Sequence, residues 1–328
     1  MFQNITKSQQ PTVGEVHVDG ILTNISVAYL QSLDNFVADK VFPLVPVQKQ
    51  SDMYFTYPKQ QWFRQHAEVR PPSTETVGSG YKQATESYMC EVYGFHKDID
   101  DRIMANYDAP LEPMRDGTEF VSRALTMKKE YDFVTSFLTT TVWDTDIDVD
   151  ANVDYDEWDD YANSTPIEDI TGLKRDVLEA TGFKPNRMVM GGKVWDAIQN
   201  HPSILDRIKY TREAIDINPA LIARAFDLDQ LVIAEGIYDQ AHEGDTMDLT
   251  PFVDDIVFLY YAPTRPGLLQ PSAGYIFTWN GYLQNPYGVA LANFYMRNIK
   301  STRVEGEMAY DMKVIGSELG VFMHNVIT

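Results

Sequence analysis

Nine carboxylates stand between Asp144 and Asp160: Asp144, Asp146, Asp148, Asp150, Asp154, Asp156, Glu157, Asp159 and Asp160. Alternate aspartates on extended backbone point to one side and could share a calcium ion. The EF-hand loop, however, needs Gly at its sixth position and Glu at its twelfth. Counted from Asp144, those places hold Val149 and Tyr155. The spacing fits a solvated, self-repelling surface loop better than a cation site. Gly191-Gly192-Lys193, after a short apolar run and before a helical pattern, suggests a phosphate cradle. A Walker loop needs Ser or Thr after the lysine and Gly five residues before the second glycine. Here those positions are Val194 and Arg187, so a structural strand-turn-helix is the simpler reading. The six histidines (His17, His66, His96, His201, His242 and His324) form no HExxH and no close pair. His201, followed by Pro202, reads as a capping or packing residue. Gly78-Ser79-Gly80 lacks the GxSxG spacing of a nucleophile elbow. Cys90 lies in an aromatic run and reads as a buried, inert thiol. The sequence thus offers no catalytic, cofactor-binding or metal-ligating set.

The bulk composition narrows the classes further. The chain has 328 residues, 44% of them hydrophobic, enough for a large core and two subdomains. One cysteine excludes an intrachain disulfide and fits a reducing cytoplasm. The longest apolar run, Ile256 to Ala262, is too short to span a membrane, and the N-terminal stretch is polar, without a signal core. The net charge is −21. Residues 1–140 carry 13 basic and 18 acidic side chains, residues 141–170 none and 11, and residues 171–328 14 and 19. Over half of the excess sits in thirty residues. Such a chain has no general electrostatic grip on nucleic acid.

The elements that must position these residues follow in order. Residues 1–50 read as an extended arm, with a short helix over Asn24–Leu33 and non-helical backbone around Pro43 and Pro46. Residues 51–97 read as a long two-stranded excursion. One side runs from Met53 to Tyr57 and on to Trp62-Phe63, and the other spans Tyr81–Phe95. The tip between them, residues 70–80, is rich in turn formers. Such a ribbon is marginal alone, so its aromatics must fold onto its own core or cross a neighbouring subunit. After breakers at Pro110 and Pro113, the spacing of Phe120, Ala124, Met127, Tyr131, Val134 and Phe137/Leu138 predicts a helix over 114–138 with that stripe in the core. Residues 166–290 alternate helices and strands. Thr165-Pro166-Ile167-Glu168 reads as a capping box opening a helix to Thr181. Gly182 ends it, Arg187–Met190 is a strand, and helical turns follow through Ile208. Asn218-Pro219 starts another helix, Leu231–Ala234 and Ile256–Tyr261 are strands, and residues 239–250 are a polar loop. Residues 272–328 are β-rich, and the late strands are expected to return to the domain containing residues 98–140.

The stretch GFKPNRMVMGGKVWDAIQNHPSILDRIKYT, Gly182 to Thr211, resembles the major capsid proteins of tailed bacteriophages. Val37–Pro43 with Val45-Pro46-Val47, Tyr54–Arg64, Tyr260–Pro263 and Gly274–Trp279 extend the resemblance over most of the chain. It implies an α+β fold of the Hong Kong phage capsid type. The implied parts are an N-terminal arm (1–50), an extended β-hairpin loop (51–97), a peripheral domain with a long spine helix and the acidic loop (98–165), an α/β axial domain (166–290) and returning antiparallel strands of the peripheral domain (291–328). It further implies a non-enzymatic protein without cofactors that self-assembles, as pentamers and hexamers, into an icosahedral shell around double-stranded DNA. A separate scaffolding protein or an already processed chain, a portal and a decoration protein are the implied partners. The implied place is the virion, after assembly in the host cytoplasm, with no membrane. The expected intersubunit contacts are Phe42 on the arm and Trp62, Phe63, Arg64, Arg70 and Lys82 on the loop. The alternatives are an encapsulin-like compartment of the same fold and an enzyme built on the α/β region.

Overall fold

The computed structural model describes residues 31–108, 111–150, 154–208, 217–242, 244–267, 269–283 and 289–328. The arm positions before residue 31, Pro110 and the Tyr210-Thr211 end of the quoted stretch lie outside them, as does all but the last three residues of the helix expected over 24–33.

Pro43 and Pro46 forbid helix, and the arm accordingly passes from a four-residue helix, α1 (Ala38–Val41), into strand β1 (Leu44–Val47). Next come β2 (Ser51–Thr56), the short α2 (Lys59–Trp62), β3 (Ala84–Met89), β4 (Glu91–Asp100) and α3 (Asp101–Asn106). The long helix α4 (Pro113–Phe137) has 25 residues and takes Pro113 at its first turn, where a missing N–H costs nothing. Strand β5 (Thr145–Asp148) is followed by α5 (Pro166–Thr181), β6 (Arg187–Gly191), α6 (Gly192–Asn200), α7 (Pro202–Ile208) and α8 (Pro219–Ala225). Strands β7 (Gln230–Ala234), β8 (Ile237–Asp239), β9 (Leu249–Pro251), β10 (Val257–Tyr260) and β11 (Gly274–Trp279) come next. A short α9 (Asn280–Leu283), β12 (Ala290–Met296), β13 (Ser301–Val314) and β14 (Gly320–His324) complete the order.

Two five-stranded sheets organise these elements. The first runs β1-β11-β13-β12, with β4 on the opposite edge of β13, and α4 lies across it. The second runs β5-β14-β10-β6-β7. Both cut across the boundaries drawn at 166 and 290. Strand β11 joins the first sheet between β1 and β13. Strand β14, expected to return with β13, pairs instead with β10 and β5 in the second. The polar stretch 239–250 is closed by the hairpin β8–β9.

Helix α4 corrects the expected core stripe. Its buried face is Gly117, Val121, Leu125, Lys129, Glu130, Phe133 and Phe137, whereas Phe120 and Tyr131 are exposed. The sheet selects the smaller residues because α4 crosses β13 at Gly306. A β-carbon there would stand 2.7 Å from Val121 and 2.8 Å from Leu125. Phe120 packs instead on Phe95 at the flank, under the Lys97 ammonium.

The acidic stretch is also corrected. Part of it is a strand: Ile147 and Val149 are buried, and β5 pairs in parallel with β14. Trp143 and Trp158 anchor its two ends, so the carboxylates decorate a packed segment rather than a free loop. The capping box at Thr165 does not form either. The Thr165 hydroxyl donates to Asp169 instead (3.1 Å), and no side chain caps that helix end. Gly182 ends α5 in the left-handed conformation, and Asn218 caps α8 through the Leu221 N–H, both as expected. His201 is buried between Ser164 (3.0 Å) and Ser203 (2.7 Å), and burial lowers its basicity.

The glycine pair has a steric explanation. A β-carbon on Gly191 would stand 2.0 Å from the Asp254 carbonyl oxygen, so only glycine allows the chain before β10 to approach the end of β6.

A buried carboxylate fastens the arm to α4. The two Glu130 oxygens accept the N–H groups of Val37 (2.9 Å) and Ala38 (2.8 Å) at the start of α1. Beside it, buried Lys129 pairs with Asp39. Burial pushes the Glu130 carboxyl up to about 7, against the pull of the two N–H donors. The folded value lies above the ordinary one. Stability from this group is therefore full below the unfolded value of 4.5 and is lost as the pH rises through about 7. Glu130→Gln is expected to flatten that part of the stability profile, by on the order of 3 kcal/mol between acid and neutral pH. Urea unfolding across the range checks this, and identical profiles for the two proteins would exclude it.

Candidate intersubunit surface

The chain leaves the first sheet along β1, continues into β2, and returns through β3 into β4. Between the sheet and the tip, β2 and β3 pair only with each other. Register then decides which side chains face the body. Tyr54 and Tyr88 fall on one face of the ribbon. Tyr88 stacks on Phe277 with ring centres 4.7 Å apart, and Tyr54 lies 5.5 Å from the same ring. Burial raises the pKa of both phenols; at Tyr54 the hydrogen bond to Glu86 adds to the rise. Cys90 is buried in this cluster, and burial pushes its thiol up to about 12. The opposite face carries Met53, Phe55 and Met89, in the cross-strand pairs Met53–Ser87, Phe55–Thr85 and Ser51–Met89. These three are 68%, 65% and 59% exposed. The ribbon thus has two apolar faces, and its own chain covers one.

Beyond the ribbon, the neck of the loop is tied down. Trp62 packs between Tyr57 and Tyr81, with ring centres 6.2 and 5.7 Å away. The Phe63 ring lies over Gly182, where a β-carbon would be 2.9 Å from it. Lys59 donates to the Ala180 carbonyl (3.2 Å) and pairs with Glu318. Residues 64–83 are exposed throughout and carry three basic and two acidic side chains, a local positive excess on an acidic protein. Arg64, Arg70 and Lys82 all lie in this stretch; Arg70 donates to the Thr74 carbonyl (2.6 Å).

Of the expected contact residues, the structure brings together Trp62, Phe63, Arg64, Arg70 and Lys82 on one projecting loop. It sets Phe42 apart. That ring is 2% exposed, inside the core of its own chain, with only an edge at the floor of a surface groove. The outward face of Met53, Phe55 and Met89 was not singled out in the sequence, although the alternation Met53-Tyr54-Phe55 carries the signal.

Other chemistry is sparse. Among the described residues, no group of three His, Cys, Asp or Glu is arranged to hold a metal ion, and no helix is long and apolar enough to cross a membrane. In the acidic segment, Asp146 accepts the Thr141 N–H (2.7 Å), Asp148 the Asn325 amide (2.9 Å) and Asp160 the Ala162 N–H (3.1 Å).

An arm, a projecting two-stranded loop, a long helix across one sheet and a second mixed sheet with flanking helices make up the Hong Kong phage capsid fold. Phage capsids and encapsulins share it. Residues 143–267 match the family model described as phage major capsid protein E. The chain is 23% identical over 319 residues to the major capsid protein of Pseudomonas phage JBD67, covering 94% of this chain and 97% of that protein. It is 28% identical over 119 residues to the major capsid protein of Burkholderia phage BcepMu, a match spanning 35% of this chain and 37% of that protein. A phage-related protein from Bordetella bronchiseptica superposes with a TM-score of 0.66 at 19% identity, covering 91% of this chain and 94% of the other. The SrpI encapsulin of Synechococcus elongatus reaches 0.54 at 10% identity, covering 93% and 94%. The fold alone is shared by both kinds of compartment. The family model and the two relatives liken this chain to phage major capsid proteins rather than to encapsulins.

Proposed function

We propose that the chain closes into the icosahedral head shell of a tailed phage, built from pentamers and hexamers and enclosing double-stranded DNA. The observation that carries this is the ribbon's second apolar face. Met53, Phe55 and Met89 stand in solvent on a ribbon that its own chain covers on the opposite face and ties down at the neck, as expected of a strap laid over an adjacent copy. Trp62, Phe63, Arg64, Arg70 and Lys82 would then complete the contact around the apolar centre. The role is structural rather than catalytic. The net charge of −21 suits a wall that holds DNA without gripping it. A scaffolding protein, a portal and a decoration protein are the partners such a shell requires. It would form in the host cytoplasm and persist in the virion. The second reading, an encapsulin-like cargo compartment, is favoured only by the shared fold. Electron microscopy of the recombinant protein, alone and with its neighbouring reading frames co-expressed, separates the two. Closed shells filled by DNA in infected cells support the phage head, and a co-purifying enzyme inside the shells would transfer the reading to a cargo compartment. A monomer under every condition would overturn both.

A further inference from the structure

A groove of about 530 Å3 opens where the arm meets the second sheet. Its lining includes Asp39 and Lys40 of α1, Leu44 and Pro46 of β1, Arg187 at the start of β6, and Arg265. Three of its ten lining residues, Lys40, Arg187 and Arg265, are cations, against the single acid Asp39, in a chain of net charge −21. The acid among them, Asp39, is taken by buried Lys129. Arg187 reaches the Val41 carbonyl at 3.4 Å and the Tyr260 hydroxyl but no carboxylate, and Arg265 is exposed with no ion pair among the described residues. Guanidinium groups present planar forks of donors that match carboxylates, so this groove is open to an acidic segment.

The chain contains such a segment, but out of its own reach. Arg187 pairs across β10 with Tyr260, which pairs with Gly320, the first residue of β14. The acids Asp156, Asp159 and Asp160 are exposed beyond the other end of that sheet. There the Trp158 N–H is bonded to the Val326 carbonyl, past the last residue of β14. The segment also follows β5, the edge strand, two strands removed from β6. Groove and segment therefore occupy opposite ends of one sheet. Complementary patches so placed join copies head to tail, the kind of contact that builds a ring where the rotation between copies closes.

We propose that the groove at Arg187 and Arg265 receives the acidic segment 154–160 of a second copy of this chain. This rests on the shell reading above and names a contact within it. Charge reversal tests it in the full-length protein. Groove-reversed Lys40→Glu/Arg265→Glu and segment-reversed Asp156→Lys/Asp159→Lys proteins are each expected to lower shell yield about tenfold, because like charges then face each other. Combining the four changes in one chain restores the yield. Unchanged yield in the single-patch proteins, or no recovery in the combined one, overturns the contact. Thermal unfolding of the dispersed protein confirms that each variant folds. As a second measurement, carbodiimide treatment of wild-type shells assembled from mixed isotopic labels is expected to couple Lys40 to Asp156 or Asp159 between copies. Finding that pair only within single copies counts against the contact. If the wild type itself forms no shells, the shell reading fails instead.

Discussion

A chain carrying Met53→Asp and Phe55→Asp is expected to fold normally and to form no closed shells under conditions where the wild type assembles. Both side chains are exposed in the single chain, so nothing in its core is lost. Across an interface, each would contribute roughly 1.5–3 kcal/mol by burial, and an aspartate in its place would bury an unpaired charge. Each copy has one such face, so the loss repeats at every contact of the shell. Size-exclusion chromatography and electron microscopy read assembly, while urea unfolding of the dispersed protein reads the fold. Shells at ordinary yield from the double variant would refute the strap. A shifted unfolding midpoint would mean that the face packs within its own chain.

Phe42→Ala is expected to act the other way, through the single chain. The ring lies among five aromatic neighbours, with centres 4.7 Å away for Phe137, 5.3 Å for Tyr260, 6.0 Å for Phe133, 6.2 Å for Phe258 and 6.4 Å for Trp143. It also fills the space that Gly274 leaves, where a β-carbon would stand 2.9 Å from it. Truncation opens a cavity that rigid rings on α4, β10 and the Trp143 turn cannot close, at a cost of about 3–5 kcal/mol. The denaturant midpoint of the dispersed protein should fall with its slope unchanged. An unaltered midpoint would return Phe42 to the surface and to its expected role as a contact.

These two predictions mark where the sequence was legible and where it was not. Prolines 43 and 46 excluded helix, Gly182 and Asn218 announced helix ends, and the Arg187–Ile208 run read correctly as strand and helices, because each signal is local. Phe42 was misplaced because the arm shows no periodicity, and its burial depends on Phe137 and Tyr260 from distant elements. The α4 stripe is buried as expected at Phe137 and Leu138, but its first part was misjudged by one position for a related reason. Size favoured Phe120 and Tyr131 as core, yet Gly306 on a strand far along the chain admits Val121 and Leu125 instead. The acidic segment hid a strand because Asp dominates its composition, while its two buried residues, Ile147 and Val149, are a sparse alternation. In the candidate contact surface, the loop was recognisable from its aromatics and turn residues. Which face it leaves bare depends on the β2–β3 register, which a sequence does not display.

The placement of β14 carries a consequence for how the protein is made. Its five residues, Gly320–His324, lie between β5 and β10 rather than at a rim. Asn325, just beyond, is bonded to Asp148, 177 positions earlier. During translation, β10, β6 and β7 can assemble soon after they leave the ribosome, but the central place beside β10 stays vacant until the last strand arrives. From the making of β10 at Val257–Tyr260 until β14 at Gly320–His324 arrives, a nascent chain therefore exposes an apolar strand edge, the kind of edge that templates association between chains. Joining segments so far apart is slow, because the intervening loop must be closed before the contact is gained. A ribosome that stalls before residue 320 leaves an adhesive intermediate, so the supply of assembly-competent subunits depends on finishing each chain and on chaperones that shield it meanwhile.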